Sequence, residues 1–387
     1  MIYLDSASTT KIDKRVLDAM LPYLTDQYGN PGTLYSFGRA SHEAVESARK
    51  SVSELIGSEP EQIIFTSGGS ESNNMVFTSV YKRDSLKHKT IVSSSIEHDS
   101  VLNCIKHLNE DLGIGSTLLP VNDSGYVNIE DVKSSLNENV GLVSVMYVNN
   151  ETGAENPVDE IGRLCKEMNI PFHTDCVQAI GDHDIDVNRI KCDFLSMSSH
   201  KIHGAKGVGA LYVRNPESMN PLIYGGHFQE HGLRGGTENV AGIVGFGKAC
   251  ELLKANRKIY DSYISLIKRA FVEALRGRLR KYNFEDILFF NGASNGKILN
   301  IRFDGVDGET LILMLDAKGV CVSAGSACRS HENTPSRVLL SMGLDPEAAR
   351  NSIRVSFSRQ NSECEVYEAA CLIADCVRLL RNGIQNS

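Results

Sequence analysis

Several features are absent from the sequence. No apolar stretch approaches the roughly 18 residues that a membrane span needs, and no long run of charge of either sign occurs. The start of the chain has neither the basic nor the apolar region of a signal peptide, so we expect a cytoplasmic protein. The 40 basic and 48 acidic side chains give a net charge of −8, which does not predict direct binding to nucleic acid.

Paired cysteine motifs are absent as well. The ten cysteines are scattered, with no C-x-x-C pair and no metal-ligand spacing, so we predict neither a disulfide framework nor a metal site. Most of these cysteines are typical of small core residues. Cys328 differs because its neighbours in 323–330 are serine, alanine, glycine and arginine.

The chain is long enough for two domains. Its 387 residues exceed one ordinary core, and no internal repeat occurs. Predicted strands at 63–65, 90–92, 141–148, 170–174, 193–197 and 207–213 alternate with helical stretches, which indicates an α/β fold with a mostly parallel sheet. We predict a large domain at 15–255. A smaller α+β domain would comprise 1–14 and 256–387 and carry the cysteine loop at about 321–335.

Five polar residues follow the carboxyl ends of predicted strands, the edge at which open α/β sheets bind ligands. They are Ser70, His98, Asn150, Asp175 and Lys201. A lysine can bind an aldehyde covalently, and a carboxylate can keep a pyridine nitrogen protonated, as enzymes that use pyridoxal phosphate (PLP) require. Alone, Lys201 would be a solvated lysine and Asp175 a helix N-cap, but the pair favours a PLP site.

Other residues each have two interpretations. The segment 67–72 suits a phosphate at a helix N-terminus or is simply a capped helix start. His98 could stack on a cofactor ring or cap the following helix, and Gln178 could bond a ring hydroxyl. Arg354 could grip a substrate carboxylate or form a surface ion pair. Cys328 is either a nucleophile, which needs activation, or an inert thiol.

The ordered motifs together resemble a known family, the NifS/IscS-type cysteine desulfurases of the class V aminotransferases. The resemblance covers nearly the whole chain, and the motifs that carry it are residues 3–10, 29–31, 65–73, 97–98, 148–153, 173–178, 198–201, 233–239 and 323–330. It implies the PLP-dependent transferase fold, which is aspartate aminotransferase-like, with PLP as cofactor. It also implies an enzyme that converts L-cysteine to L-alanine and leaves a persulfide on Cys328.

The resemblance also implies roles for individual residues. Catalytic roles fall to Cys328, Lys201 and His98, and substrate contacts to Asn150 and Arg354. The cofactor-binding residues would be Gly69, Ser70, His98, Asn150, Asp175, Gln178, Ser198, His200, Lys201 and Thr237. Thr237 would reach the cofactor phosphate of a neighbouring subunit, which implies a homodimer. The persulfide would pass to a sulfur-acceptor protein in iron–sulfur cluster assembly or in a thiolation pathway.

Two departures and two rival functions remain at this stage. Cys176 stands where the family usually has alanine, and 225–232 is one residue longer than usual; we expect both to alter the rim of the site. A class V aminotransferase or a selenocysteine lyase would keep Lys201 and Asp175 without depending on Cys328. A non-catalytic partner with this fold is the other rival.

Overall fold

A computed structural model of the chain describes residues 1–82, 89–293, 296–325 and 334–385. The strands within these ranges are β1 Ile2–Tyr3, β2 Ile63–Thr66, β3 Thr90–Ser94, β4 Ser116–Leu119, β5 Val140–Ser144, β6 Phe172–Asp175, β7 Phe194–Ser198, β8 Gly209–Val213, β9 Leu288–Asn291, β10 Ile298–Phe303, β11 Val320–Cys321 and β12 Ser352–Ser356. The helices are α1 Lys14–Leu24, α2 Ser36–Ile56, α3 Gly69–Tyr81, α4 Asp99–Leu112, α5 Ile129–Ser135, α6 Val158–Glu167, α7 Val187–Ile190, α8 Val240–Arg280, α9 Gly308–Asp316, α10 Arg337–Ser341, α11 Pro346–Arg350 and α12 Glu363–Gln385.

A seven-stranded sheet dominates the structure, with strand order β2-β8-β7-β6-β5-β3-β4. Strand β8 runs antiparallel to both of its neighbours, and the remaining pairs are parallel. Apolar side chains from α2, α6 and the first part of α8 cover one face, and those from α3 and α4 cover the other. The α/β fold class with a mostly parallel sheet is therefore confirmed.

A second core surrounds the three-stranded sheet of order β12-β10-β9. Residues from the last part of α8, from α9 and from α12 pack against it. The N-terminal Ile2 and Leu4 belong to this core, and β1 pairs in parallel with β11. Because α8 runs without a break from Val240 to Arg280, the division at residue 255 stays a prediction.

Some element bounds differ from those predicted. The apolar run at 141–148 predicts a strand up to Asn149, but β5 ends at Ser144. Val145, Met146 and Val148 are buried although they lie outside the strand, and burial of this kind does not distinguish a strand from an irregular segment. Strand β4 was not predicted, because two of its four side chains are exposed. Among the described residues, no helix combines the length and apolar character that a membrane crossing requires.

Candidate active site

A cleft of about 220 Å³ lies at the carboxyl edge of the large sheet. Ten of the predicted site residues line it: Gly69, Ser70, His98, Asn150, Asp175, Gln178, Ser198, His200, Lys201 and Arg354. Thr237 is exposed and is not among the described residues that line the cleft. Cys328 lies outside the described residues.

Lys201 occupies the short 3₁₀ turn Ser199–Lys201 that directly follows β7. Its ammonium nitrogen Nζ donates to the carbonyl of Ala7 and, at 3.0 Å, to the carbonyl of Ser8. Burial, together with the positive charges of Arg354 and Lys297, lowers the pKa of Lys201 to about 7. An amine in this state is substantially neutral near pH 7, and a neutral amine can attack an aldehyde.

Asp175 is the last residue of β6 and is 5% exposed. One carboxylate oxygen accepts a hydrogen bond from Asn73 Nδ2 at 2.9 Å, and the other accepts from the backbone N–H of Val177 at 2.9 Å. The bond to Val177 is a contact within the local turn. The N-cap of the following 3₁₀ turn Ala179–Gly181 is Gln178, so Asp175 is not the helix N-cap that the sequence left open. Asn73 lies on α3, so its hydrogen bond connects the carboxylate of Asp175, at the end of β6, to a second structural element.

Gln178 and His98 both contact other residues from the wall of the cleft. Gln178 Nε2 donates to the carbonyl of Ala7 at 2.8 Å, whereas its buried Oε1 has no partner among the described residues. His98 is the N-cap of α4, and its Nδ1 accepts from the N–H of Ser100 at 3.1 Å. His98 therefore caps the helix, and stacking on a ring remains a prediction.

The predicted phosphate end of the cleft lies where α3 begins. Gly68 has a φ of +151°, a conformation that favours glycine. A Cβ at Gly69 would stand 2.5 Å from Val177 Cγ2, so a side chain would disturb this corner. His200 Nδ1 shares a hydrogen bond of 3.0 Å with Thr9 Oγ1. Burial lowers the pKa of His200 to about 4, so this ring is neutral at neutral pH.

Arg354 lies on β12 and is 1% exposed, so the alternative of a surface ion pair is wrong. Its guanidinium donates to the carbonyl of Asn150 at 2.6 Å, to Asp5 at 2.8 Å and to Ser8 Oγ at 2.6 Å. Its Nε is buried without a partner within the described part of the chain. A positive charge is thus fixed in the wall of the cleft, beside Asn150.

The comparisons with known proteins agree with this geometry. The family model for class V aminotransferases matches residues 2–368. The chain belongs to the class V aminotransferase family. Among curated proteins, cysteine desulfurase IscS of Clostridium botulinum is 42% identical over 94% of this chain and 91% of its own length. The family resemblance predicted from the sequence is confirmed.

Solved structures of this family show the same fold. A NifS-like protein matches with a TM-score of 0.88 and 32% identity, over 97% of this chain and 98% of that chain. A protein described as SspA in complex with cysteine matches with a TM-score of 0.78 and 32% identity, over 94% of this chain and 100% of its own. The cysteine belongs to that complex.

Several residues that shape the cleft had no predicted role from the sequence. Asp5 and the carbonyls of Ala7 and Ser8 contact Arg354 or Lys201, and Asn73 holds Asp175. The motifs at 3–10 and 65–73 contained all four residues. What the sequence did not reveal was that β1 would bring the N-terminus beside β7.

The two departures from the family pattern, Cys176 and the longer segment 225–232, lie in different parts of the structure. Cys176 is fully buried in the main core and is not among the described residues that line the cleft, so its effect on the rim stays a prediction. The longer segment at 225–232 ends in the 3₁₀ turn Gln229–Gly232. Glu230 anchors this turn through a buried ion pair, with Arg49 nitrogens 2.8 Å from both carboxylate oxygens.

Proposed function

We propose that this chain is a PLP-dependent cysteine desulfurase that converts L-cysteine to L-alanine and places the sulfur on Cys328 as a persulfide. The observation that carries the proposal is the pairing of Lys201, whose pKa is lowered to about 7, with the buried carboxylate of Asp175 in one cleft. Curated relatives at about 42% identity are named for the same activity.

The described residues fit the cofactor. The unsatisfied Oε1 of Gln178 can accept a hydrogen bond from a ring hydroxyl. The N-terminus of α3, with the hydroxyl of Ser70, suits a phosphate, and the glycine at 69 leaves the corner open. Lys201 would hold the aldehyde carbon and Asp175 the pyridine nitrogen. When bound, PLP withdraws electrons from the carbon atoms of the amino acid, which weakens the C–S bond of cysteine.

Side chains of the protein itself would transfer the proton and bind the substrate. The neutral amine of Lys201 can take a proton from the substrate and return it, because its pKa of about 7 matches a neutral working pH. Hydrogen bonds from Asn73 and Val177 hold the carboxylate of Asp175 in position. Arg354 would bind the substrate carboxylate, with its buried Nε available for one further bond.

The sulfur step is balanced without an external oxidant. The thiolate of Cys328 attacks the substrate sulfur, an S–S bond forms, and the C–S bond breaks. The carbon keeps the bonding electron pair and gains a proton, which gives L-alanine, while Cys328 becomes the persulfide. The persulfide is then passed to a thiol of an acceptor protein in cluster assembly or thiolation.

Two further parts of the proposal concern assembly and location. Thr237 is exposed in the single chain, and Arg234 on the same segment pairs with Glu71 of α3 at 2.9 Å. We place Thr237 at the phosphate site of a second copy, so the working unit would be a homodimer. We also propose that the protein acts in the cytoplasm.

The test is formation of L-alanine from L-cysteine by the purified protein with a reducing agent. We expect alanine from the wild type, and loss of both the bound PLP chromophore and the activity in Lys201→Ala. The exposed Lys14 offers a matched control, since Lys14→Ala should behave as the wild type. A chromophore that persists in Lys201→Ala, or alanine formation by that variant at the wild-type rate, would contradict the assignment.

A further inference from the structure

A chain of hydrogen bonds joins Asp175 to His98 in the wall of the cleft. Asn73 Nδ2 lies 2.9 Å from an oxygen of the Asp175 carboxylate and 2.9 Å from Ser100 Oγ. Ser100 Oγ in turn lies 2.8 Å from Nδ1 of His98. All four residues line the cleft, although they come from β6, from α3 and from the start of α4. The chain therefore connects the two residues that the proposed function places against the cofactor ring.

The direction of these hydrogen bonds is fixed from both ends. At one end Asn73 donates to the carboxylate of Asp175, because the reverse orientation of the amide would place its oxygen against the carboxylate oxygen. The second N–H of the same nitrogen then donates to Ser100 Oγ. At the other end the backbone N–H of Ser100 lies 3.1 Å from Nδ1 of His98. A backbone N–H can only donate, so Nδ1 is an acceptor and carries no proton.

The hydroxyl of Ser100 connects these two ends. Its oxygen accepts from Asn73, so its own hydrogen is directed to Nδ1 of His98. Alanine at position 100 would keep the backbone contact to Nδ1 but would leave this nitrogen with one donor in place of two. It would also remove an acceptor from Asn73, which is only 1% exposed, and a buried donor that loses its acceptor is unfavourable.

We propose that Ser100 is a positioning residue for the reaction: its hydroxyl carries the hydrogen bond of Asn73 on to His98 and fixes that ring with its proton on Nε2. A neutral histidine ring has one proton, and the hydrogen bonds at one nitrogen decide which nitrogen carries it. Nε2 is then a donor, and the ring keeps one orientation when a substrate binds. The role of Ser100 in the reaction rests on the proposed desulfurase function, in which His98 acts beside the cofactor ring.

Nitrogen NMR of the PLP-loaded protein, with ¹⁵N-labelled histidine, tests the arrangement of the ring. The signals of His98 are assigned by their loss in His98→Gln. We expect a protonated Nε2 and an unprotonated, hydrogen-bonded Nδ1 in the wild type and in Ser100→Thr. In Ser100→Ala, the Nδ1 signal should move toward that of a nitrogen with fewer hydrogen bonds. A proton on Nδ1 in the wild type, or an Nδ1 signal that does not move in Ser100→Ala, would overturn the proposal.

Steady-state formation of L-alanine from L-cysteine tests the consequence for the reaction. We expect Ser100→Ala to bind PLP and to keep its KM for L-cysteine within about twofold of the wild type, while kcat falls about fivefold, the typical effect of one neutral hydrogen bond. Ser100→Thr keeps the hydroxyl and should recover most of kcat. The exposed Ser134 of α5 gives the matched control Ser134→Ala, which should behave as the wild type.

Two kinetic results would contradict the role of Ser100. One is a wild-type kcat in Ser100→Ala, and the other is a loss of kcat that Ser100→Thr does not restore. If the wild type itself forms no alanine, the proposed function is refuted instead. The nitrogen spectrum of the PLP-free protein would then still decide whether Ser100 fixes the ring of His98, because the four residues make these contacts without the cofactor.

Discussion

The lowered pKa of Lys201 makes a prediction that can be measured without any turnover. With a pKa of about 7, about half of the amine is neutral at pH 7, whereas an ordinary lysine of pKa about 10.4 is neutral in roughly one molecule in 2,500. The neutral amine is the nucleophile, so its reactivity at pH 7 should exceed that of an ordinary lysine on the order of a thousandfold, apart from differences in access.

Competitive acylation of the PLP-free protein would measure this. A trace of acylating reagent is added at a series of pH values, a free alkylamine in the same sample corrects for the reagent, and mass spectrometry quantifies the peptide with Lys201. We expect its reactivity to rise with pH and level off with a midpoint near pH 7. A midpoint above about pH 9 would refute the argument that burial and neighbouring charge prepare this amine.

The same experiment can test how the charge of Lys297, outside the cleft, affects the pKa of Lys201. Lys297 lowers the pKa of Lys201 and forms an ion pair of 3.2 Å with Asp182, with side chains only 4% and 9% exposed. Lys297→Met should raise the midpoint by about half a pH unit or more, because one nearby cation is lost. The double variant with Asp182→Asn is the control, since it removes the cation without leaving a buried carboxylate unpaired. A midpoint that does not move in either variant would contradict the assigned role of Lys297.

Two further predictions follow from hydrogen bonds and ion pairs in the structure. Asn73→Ala removes a hydrogen bond to the carboxylate of Asp175. It should weaken PLP binding about tenfold or more, because hydrogen bonds to charged groups contribute about 1.5–3 kcal/mol. Unchanged PLP affinity in a spectroscopic titration would contradict this prediction. Arg49→Ala leaves Glu230 buried without its partner and should lower the free energy of unfolding by about 3–5 kcal/mol. In urea titrations, the double variant Arg49→Met with Glu230→Leu should recover much of that loss, and a loss below about 1 kcal/mol in Arg49→Ala would contradict the prediction.

The sequence predicted six of the seven strands of the main sheet, because these strands are short, apolar and separated by helices, whereas the half-exposed β4 was missed. Asp175 and Lys201 could be placed at one sheet edge for the same reason, since parallel strands end on the same side. The family motifs then supplied residues such as Ser198 and His200, whose local sequence carries little signal. These residues line the same cleft in the structure, and their roles remain predictions.

Contacts between distant segments could not be predicted. Nothing local in the sequence indicates that the carbonyls of Ala7 and Ser8 accept from Lys201, because that contact depends on the pairing of β1 with β11. Such contacts are decided by tertiary packing, which one sequence does not display.

The central claim is that sulfur moves from L-cysteine to Cys328, and heavy-sulfur labelling tests it most directly. The purified protein would be given L-cysteine labelled with a heavy sulfur isotope for one turnover, and then alkylated, digested and examined by mass spectrometry. Our account predicts one heavy sulfur on the peptide with Cys328, L-alanine in equal amount, and neither product in Cys328→Ser. Heavy sulfur found on Cys321, or released as free sulfide while Cys328→Ser still forms alanine, would contradict it.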